Sequence, residues 1–173
     1  VTDMSYMFYY AYNSSSDSTV TFDINSWDVS SVKDLSYMIY RAGYYARNWT
    51  LNASSWDTGN VTNMDSMFGQ IASYTNNSSA NMDLSAWDVH NVTNMSGMFY
   101  NFGSRATTSW GIGDLSSWNV GSVIDMPSMF SYAGRYSTAA LDWDLSGWDM
   151  SSVKQAQYMF RGFRANATTW HLN

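Results

Sequence analysis

The stretch from Asp83 to Phe99, DLSAWDVHNVTNMSGMF, returns five times along a chain of 173 residues, and this recurrence limits the fold more than any other feature. Its tryptophan stands at Trp27, Trp56, Trp87, Trp118 and Trp148, at intervals of 29, 31, 31 and 30 residues. Five residues after each tryptophan comes a valine: Val32, Val61, Val92, Val123 or Val153. Next stand Leu35, Met64, Met95, Met126 or Ala156, then Met38, Met67, Met98, Met129 or Met159, and the block closes at Ile39, Phe68, Phe99, Phe130 or Phe160. A fixed period of this length means one supersecondary unit stacked on copies of itself. Val1, Met4, Met7 and Phe8 match the second half of the unit, and Trp170 to Asn173 match Trp143 to Ser146. Residues 1–173 therefore read as one domain of about 5.5 repeats, with both ends inside a repeat.

Within a unit, Leu84, Trp87 and Val89 alternate with polar or small residues, which predicts a short strand over Leu84 to Val89. Val92 to Phe99 spaces its apolar residues by three, three and one, which predicts a short helix. Ser31, Asn60, Asn91, Ser122 and Ser152, each followed three residues later by Asp34, Asn63, Asn94, Asp125 or Gln155, have the spacing of a capping box at the start of that helix. Gly43, Gly103 and Gly134 are placed to end it in the left-handed conformation. Pro127 falls near its start, where a missing amide does least harm. Variable segments such as Tyr74 to Asn81 and Gly103 to Gly113 read as loops.

All 14 acidic residues are aspartates, glutamate is absent, and the lysines are Lys33 and Lys154. The net charge of −6 argues against nucleic acid or an anionic membrane as partner. Without cysteine, neither disulfides nor thiolate metal sites can form. No apolar run is long enough to span a bilayer, and Val1 reads as a processing or recombinant boundary.

The block resembles the repeat of the BspA-like leucine-rich-repeat surface proteins, close to LSSWDVSNVTNMSGMF. Leu84 to Phe99, LSAWDVHNVTNMSGMF, is nearly that string, and Leu115 to Phe130, LSSWNVGSVIDMPSMF, is a looser copy. The resemblance implies a leucine-rich-repeat solenoid of the α/β type, with units of 29–31 residues, short parallel strands on one face and short helices opposite. It also implies an extracellular or cell-surface role in adhesion or matrix binding.

The tryptophans read as core rather than as a sugar-stacking stripe, together with the repeat valines and methionines. Each buried indole removes roughly 150–250 Å² from water, on the order of 4–6 kcal/mol before entropic costs. Asp28, Asp57, Asp88 and Asp149 follow tryptophans and would stack as like charges, so they should accept from turn amides or, alternatively, hold a cation. Nine asparagines fit the glycosylation acceptor pattern; Asn60, Asn91 and Asn94 belong to the repeat turn, leaving Asn13, Asn48, Asn52, Asn76, Asn77 and Asn166 as candidates in the variable segments. A ligand would meet the aromatic loops around Tyr44, Tyr45, Trp110 and Tyr136. His90 and His171 lack a nucleophile at motif spacing, so neither an enzyme nor a cofactor is expected. Two functions follow as expectations: a structural glycoprotein stacking head to tail through uncapped ends into a filament or matrix, and a monomeric adhesion module binding protein or glycan. The chain reads equally as a piece of a longer array.

Overall fold

A computed structural model describes residues 1–13, 18–76, 78–137, 141–165 and 170–172. Successive repeats lie directly on one another. Strands β1 (Thr19–Asp23), β2 (Asn48–Asn52), β3 (Ser79–Asn81) and β4 (Ser109–Gly111) form a four-stranded parallel sheet in chain order, and β5 (Leu141–Trp143) pairs in parallel with β6 (Trp170–Leu172). A second column of parallel bridges runs through Asp3, Asp34, Asn63, Asn94, Asp125 and Gln155. Neighbouring units thus touch along two lines, except that no pairing of β4 with β5 occurs among the described residues. The register repeats the sequence period, as in Thr19 opposite Asn48 and Ser79 opposite Ser109.

The strands occupy the variable segments between the repeat blocks, where the sequence predicts loops. In β1 and β2, Val20, Phe22, Trp49 and Leu51 point inward and are buried, while the residues between them face out. The outward row is tied across strands by short side chains: Thr50 Oγ1 donates to Thr21 Oγ1 at 3.1 Å, Asn52 Nδ2 to Asp23 Oδ1 at 2.9 Å, and Ser79 Oγ to Asn48 Oδ1 at 3.0 Å. The strand expected over Leu84 to Val89 is instead a pair of tight turns, with Trp87 N donating to Leu84 O and Val92 N to Val89 O, both at 3.0 Å. Alternating apolar residues bury equally well at turn corners, so the period alone did not distinguish the two.

No helix occurs among the described residues, which overturns the expected α/β leucine-rich-repeat solenoid with helices opposite its strands. Val92 to Phe99 and its counterparts form a ribbon of consecutive turns. Amides three, five, seven and nine places after each repeat valine leave the ribbon and donate to carbonyls of the next repeat. In the unit of Val61 these bonds run from Met64 to Asn94, Ser66 to Ser96, Phe68 to Met98 and Gln70 to Tyr100, at 2.7–2.9 Å. Alternate amides close turns within the ribbon, such as Met67 N to Met64 O and Gly69 N to Ser66 O.

An α-helix over the ribbon would have to break every one of these amide bonds to the next repeat. The ribbon also needs left-handed residues at three fixed places per repeat, for example Ser66, Gln70 and Ala72, then Gly97, Asn101 and Gly103. Gly43, Gly103 and Gly134 are left-handed, yet they end turn ribbons rather than helices. The expected capping box likewise serves the stack. Asn60 and Asn91 donate to Ser30 O and Gly59 O of the preceding repeat, both at 2.7 Å. Asp34, Asn63 and Asn94 accept the amide two residues on, at 2.8–3.1 Å. Pro127 occupies the place of that captured amide, so its ring removes no bond between repeats.

The core lies between sheet and ribbon. Val32, Val61, Val92 and Val123 are fully buried, as are Met38, Met67, Met98 and Met129. Phe68, Phe99, Phe130 and Phe160 stack as a column, with successive centroids 5.3–5.7 Å apart and rings within 11° of parallel. Trp56, Trp87, Trp118 and Trp148 are buried beside it, each indole donating to a carbonyl of the repeat before. At the edges of the stack Val153 is half-buried, Met159 is buried, and Trp27 keeps 39% exposure.

Candidate functional site

The ribbon leaves each repeat through a segment dense in tyrosine and arginine. Counted from the repeat valine, all six arginines fall eight to fifteen places on, at Arg41, Arg47, Arg105, Arg135, Arg161 and Arg164, and no aspartate shares that window in any repeat. Stacking gathers these windows onto one flank. Tyr9 lies over Tyr40 with centroids 5.5 Å apart, and just ahead of the windows Tyr6 lies over Tyr37 at 5.0 Å. Arg41 donates to Tyr10 Oη at 2.9 Å and covers the rings of Tyr10 and Tyr44. That bond lowers the Tyr10 pKa, whereas burial among neighbouring tyrosines pushes Tyr40 up to about 12.

Further along the flank a cleft of about 300 Å³ opens, lined by Tyr44, Ser73, Tyr74, Asn101, Ser104, Arg105, Arg135 and Tyr136. Arg105 and Arg135 both lie over the Tyr136 ring, 5.5 and 5.2 Å from its centroid. Arg105 donates through Nη1 to Asn76 Oδ1 at 2.9 Å, and among the described residues no carboxylate pairs with either arginine. In a chain of net charge −6 this is a local reversal of sign.

Of the four expected ligand residues, Tyr44 and Tyr136 line this cleft, while Tyr45 packs against Tyr44 and Tyr74. Trp110 does not join them. It belongs to β4, is buried, and its Nε1 donates to Phe102 O at 3.2 Å. Arg105 and Arg135 also line the cleft and are not among the residues that aromatic character singles out. The signal that marks them is the confinement of arginine to one window of the repeat.

At the corner after the tryptophans, Asp28, Asp57, Asp88 and Asp149 each accept the amide two residues on, at 2.9–3.2 Å. The Ser30 hydroxyl holds Asp28 below the usual carboxylate range, and His90, whose Nδ1 sits 2.7 Å from Asp88 Oδ1, does the same for Asp88. No cluster of three or more His, Cys, Asp or Glu able to hold a metal occurs among the described residues. Nor is any described helix long and apolar enough to cross a membrane.

Among the candidate glycan acceptors, Asn48 and Asn52 lie within β2 with their side chains bonded to the flanking strands. Asn76 accepts from Arg105, and Asn13 is half-buried with its Oδ1 unpartnered among the described residues. Asn77 and Asn166 lie outside the described residues.

A second cleft, of about 390 Å³, opens on the first face of the stack and is lined by Val1, Met4, Met7, Trp27 and Asp28. Carbonyls of Asp3, Ser5, Met7 and Tyr9 on that face accept nothing among the described residues. Their counterparts in every later repeat each accept from the repeat before. On the opposite face the amides of Ala156, Tyr158, Phe160 and Gly162 donate to nothing among the described residues.

The comparisons with known proteins place the chain by its repeat. No curated protein and no solved structure matches it. The resemblance to BspA-like leucine-rich-repeat surface proteins is corrected on two counts: another family is the one matched, and the helix implied for each repeat is replaced by turns. The matching family profile is described as "Mycoplasma protein of unknown function, DUF285" and covers residues 2–112 and 72–173. With those two overlapping matches spanning nearly all of its length, the chain belongs to the DUF285 family.

Proposed function

We propose that this protein is a structural component of the cell exterior whose stacked repeats join end to end into a filament or matrix. The observation that carries the reading is the sameness of every junction, in which four ribbon amides of one repeat donate to carbonyls of the next, so that a repeat of one copy could dock on a repeat of another. The carbonyls of Asp3, Ser5, Met7 and Tyr9, which accept nothing among the described residues, stand in the positions that accept from a preceding repeat. The amides of Ala156, Tyr158, Phe160 and Gly162, which donate to nothing among the described residues, stand in the positions that donate to a following one. The apolar residues around them agree, since Val1, Met7 and Trp27 on the first face are exposed at 86, 46 and 39%.

A head-to-tail contact between unlike faces, where its rotation does not close into a ring, generates a fibre. Each junction would reuse the spacing of about 5 Å that already joins neighbouring strands. Placement outside the cell rests on the excess of acceptor asparagines in the sequence.

Electron microscopy of purified protein across a dilution series tests the reading. Filaments that dissolve on dilution, and are lost when Met7→Lys places a charge in the end face, would support it. Discrete particles at every concentration would overturn it.

A further inference from the structure

We propose that the flank cleft binds a saccharide carrying a carboxylate or sulfate, with Arg105 and Arg135 holding the anionic group. The cleft is built from the middle repeats, so the inference stands apart from the contacts of the end faces. Its volume of about 300 Å³ falls at the lower end of the range for small-ligand sites.

The chemistry of the lining selects the ligand. Arg135 has no acceptor for its guanidinium among the described residues, and Arg105 spends only Nη1, on Asn76. A guanidinium fork matches a carboxylate or sulfate through paired hydrogen bonds; both forks lie over the Tyr136 ring, and that of Arg135 also lies over Tyr132, 5.0 Å from its centroid. No carboxylate of the protein competes for them among the described residues.

The remaining groups suit a sugar ring rather than a bare anion. Among the described residues the hydroxyls of Tyr44, Tyr74 and Tyr136 and the side-chain amide of Asn101 make no hydrogen bond, leaving four groups that can both donate and accept. Tyr74 is 56% exposed and presents ring surface to solvent. Rigid aromatic planes beside polar groups provide contact area at small entropic cost, which a saccharide with apolar C–H faces and polar edges can use.

The test is isothermal titration of the whole chain with digalacturonate, a sulfated disaccharide, lactose and sodium sulfate. The expected result is binding of at least one acidic saccharide, weakened by added salt and reduced about tenfold or more in both Arg105→Ala and Arg135→Ala. Arg47→Ala, outside the cleft, should leave it unchanged. Should an alanine variant fail to fold, Arg135→Lys keeps the charge without the fork and should still weaken binding. Equal affinity for lactose, equal affinity for sulfate alone, indifference to the cleft arginines, or no heat from any probe would each overturn the proposal.

Discussion

Trp87 Nε1 donates to the carbonyl of Ala53, 34 residues earlier, at 2.9 Å, and its ring stacks on Trp56 with centroids 5.7 Å apart. One side chain therefore joins two repeats by a directional bond and by buried area. Trp87→Phe keeps most of the area but removes one of the two bonds that the Ala53 carbonyl accepts, the other coming from Trp56 N at 3.2 Å, and should cost about 0.5–1.5 kcal/mol. Trp87→Ala adds a cavity and should cost about 3–5 kcal/mol. Urea denaturation midpoints should rank wild type, phenylalanine and alanine in that order.

Gly103 couples the ribbon to the sheet. Its φ is +53°, and a Cβ there would lie 2.4 Å from Cδ1 of Trp110 in β4. Gly103→Ala thus meets both left-handed strain and a ring that has no room to move. A loss of about 2–4 kcal/mol should appear as a lowered melting temperature. The mismatch in size is local, since β3 carries Ala80 opposite Trp49 and Trp110.

Proline separates the two kinds of amide in the ribbon. Ser96 N reaches only the side chain of Asn94, at 2.9 Å, and Pro127 occupies the matching place in the next repeat. Ser96→Pro should therefore cost about 1 kcal/mol. Gly97 N donates to Pro127 O at 2.8 Å from a left-handed backbone that proline cannot adopt. Gly97→Pro should cost about 3 kcal/mol or more, and chemical denaturation of the pair would measure the gap.

Asp65 should make stability fall as pH rises. Burial is the main cause that raises its carboxyl above the usual range, aided by Asp34 and opposed by the Ser66 hydroxyl. A raised folded pKa gives a contribution that is present below the unfolded value of about 3.9 and lost as pH climbs through the folded one. Asp65→Asn keeps an acceptor for Ser66 without the charge. At pH 7 it should be more stable than wild type by on the order of a few tenths of a kcal/mol, given solvent screening. Melting temperatures at pH 7 and pH 3 should show that advantage closing in acid.

The sequence by itself determined the register of the stack and the column in which each repeat residue stands. Both depend only on spacing, which is why Asp34, Asn63, Asn94 and Asp125 pair in line across repeats. Backbone form was beyond its reach. Met95, Met98 and Phe99 have helical spacing, but stacking gives their amides an alternative partner: Met95 and Phe99 donate to Asp125 and Met129 of the next repeat. Twenty such bonds across five junctions displace the helix and hold even Tyr37, Arg41 and Tyr132 in the left-handed region. The candidate site divides the same way. Tyr44 and Tyr136 stand out in the sequence as aromatic, whereas Arg105 and Arg135 gain meaning only when residues some 30 positions apart are brought onto one ring by the stack.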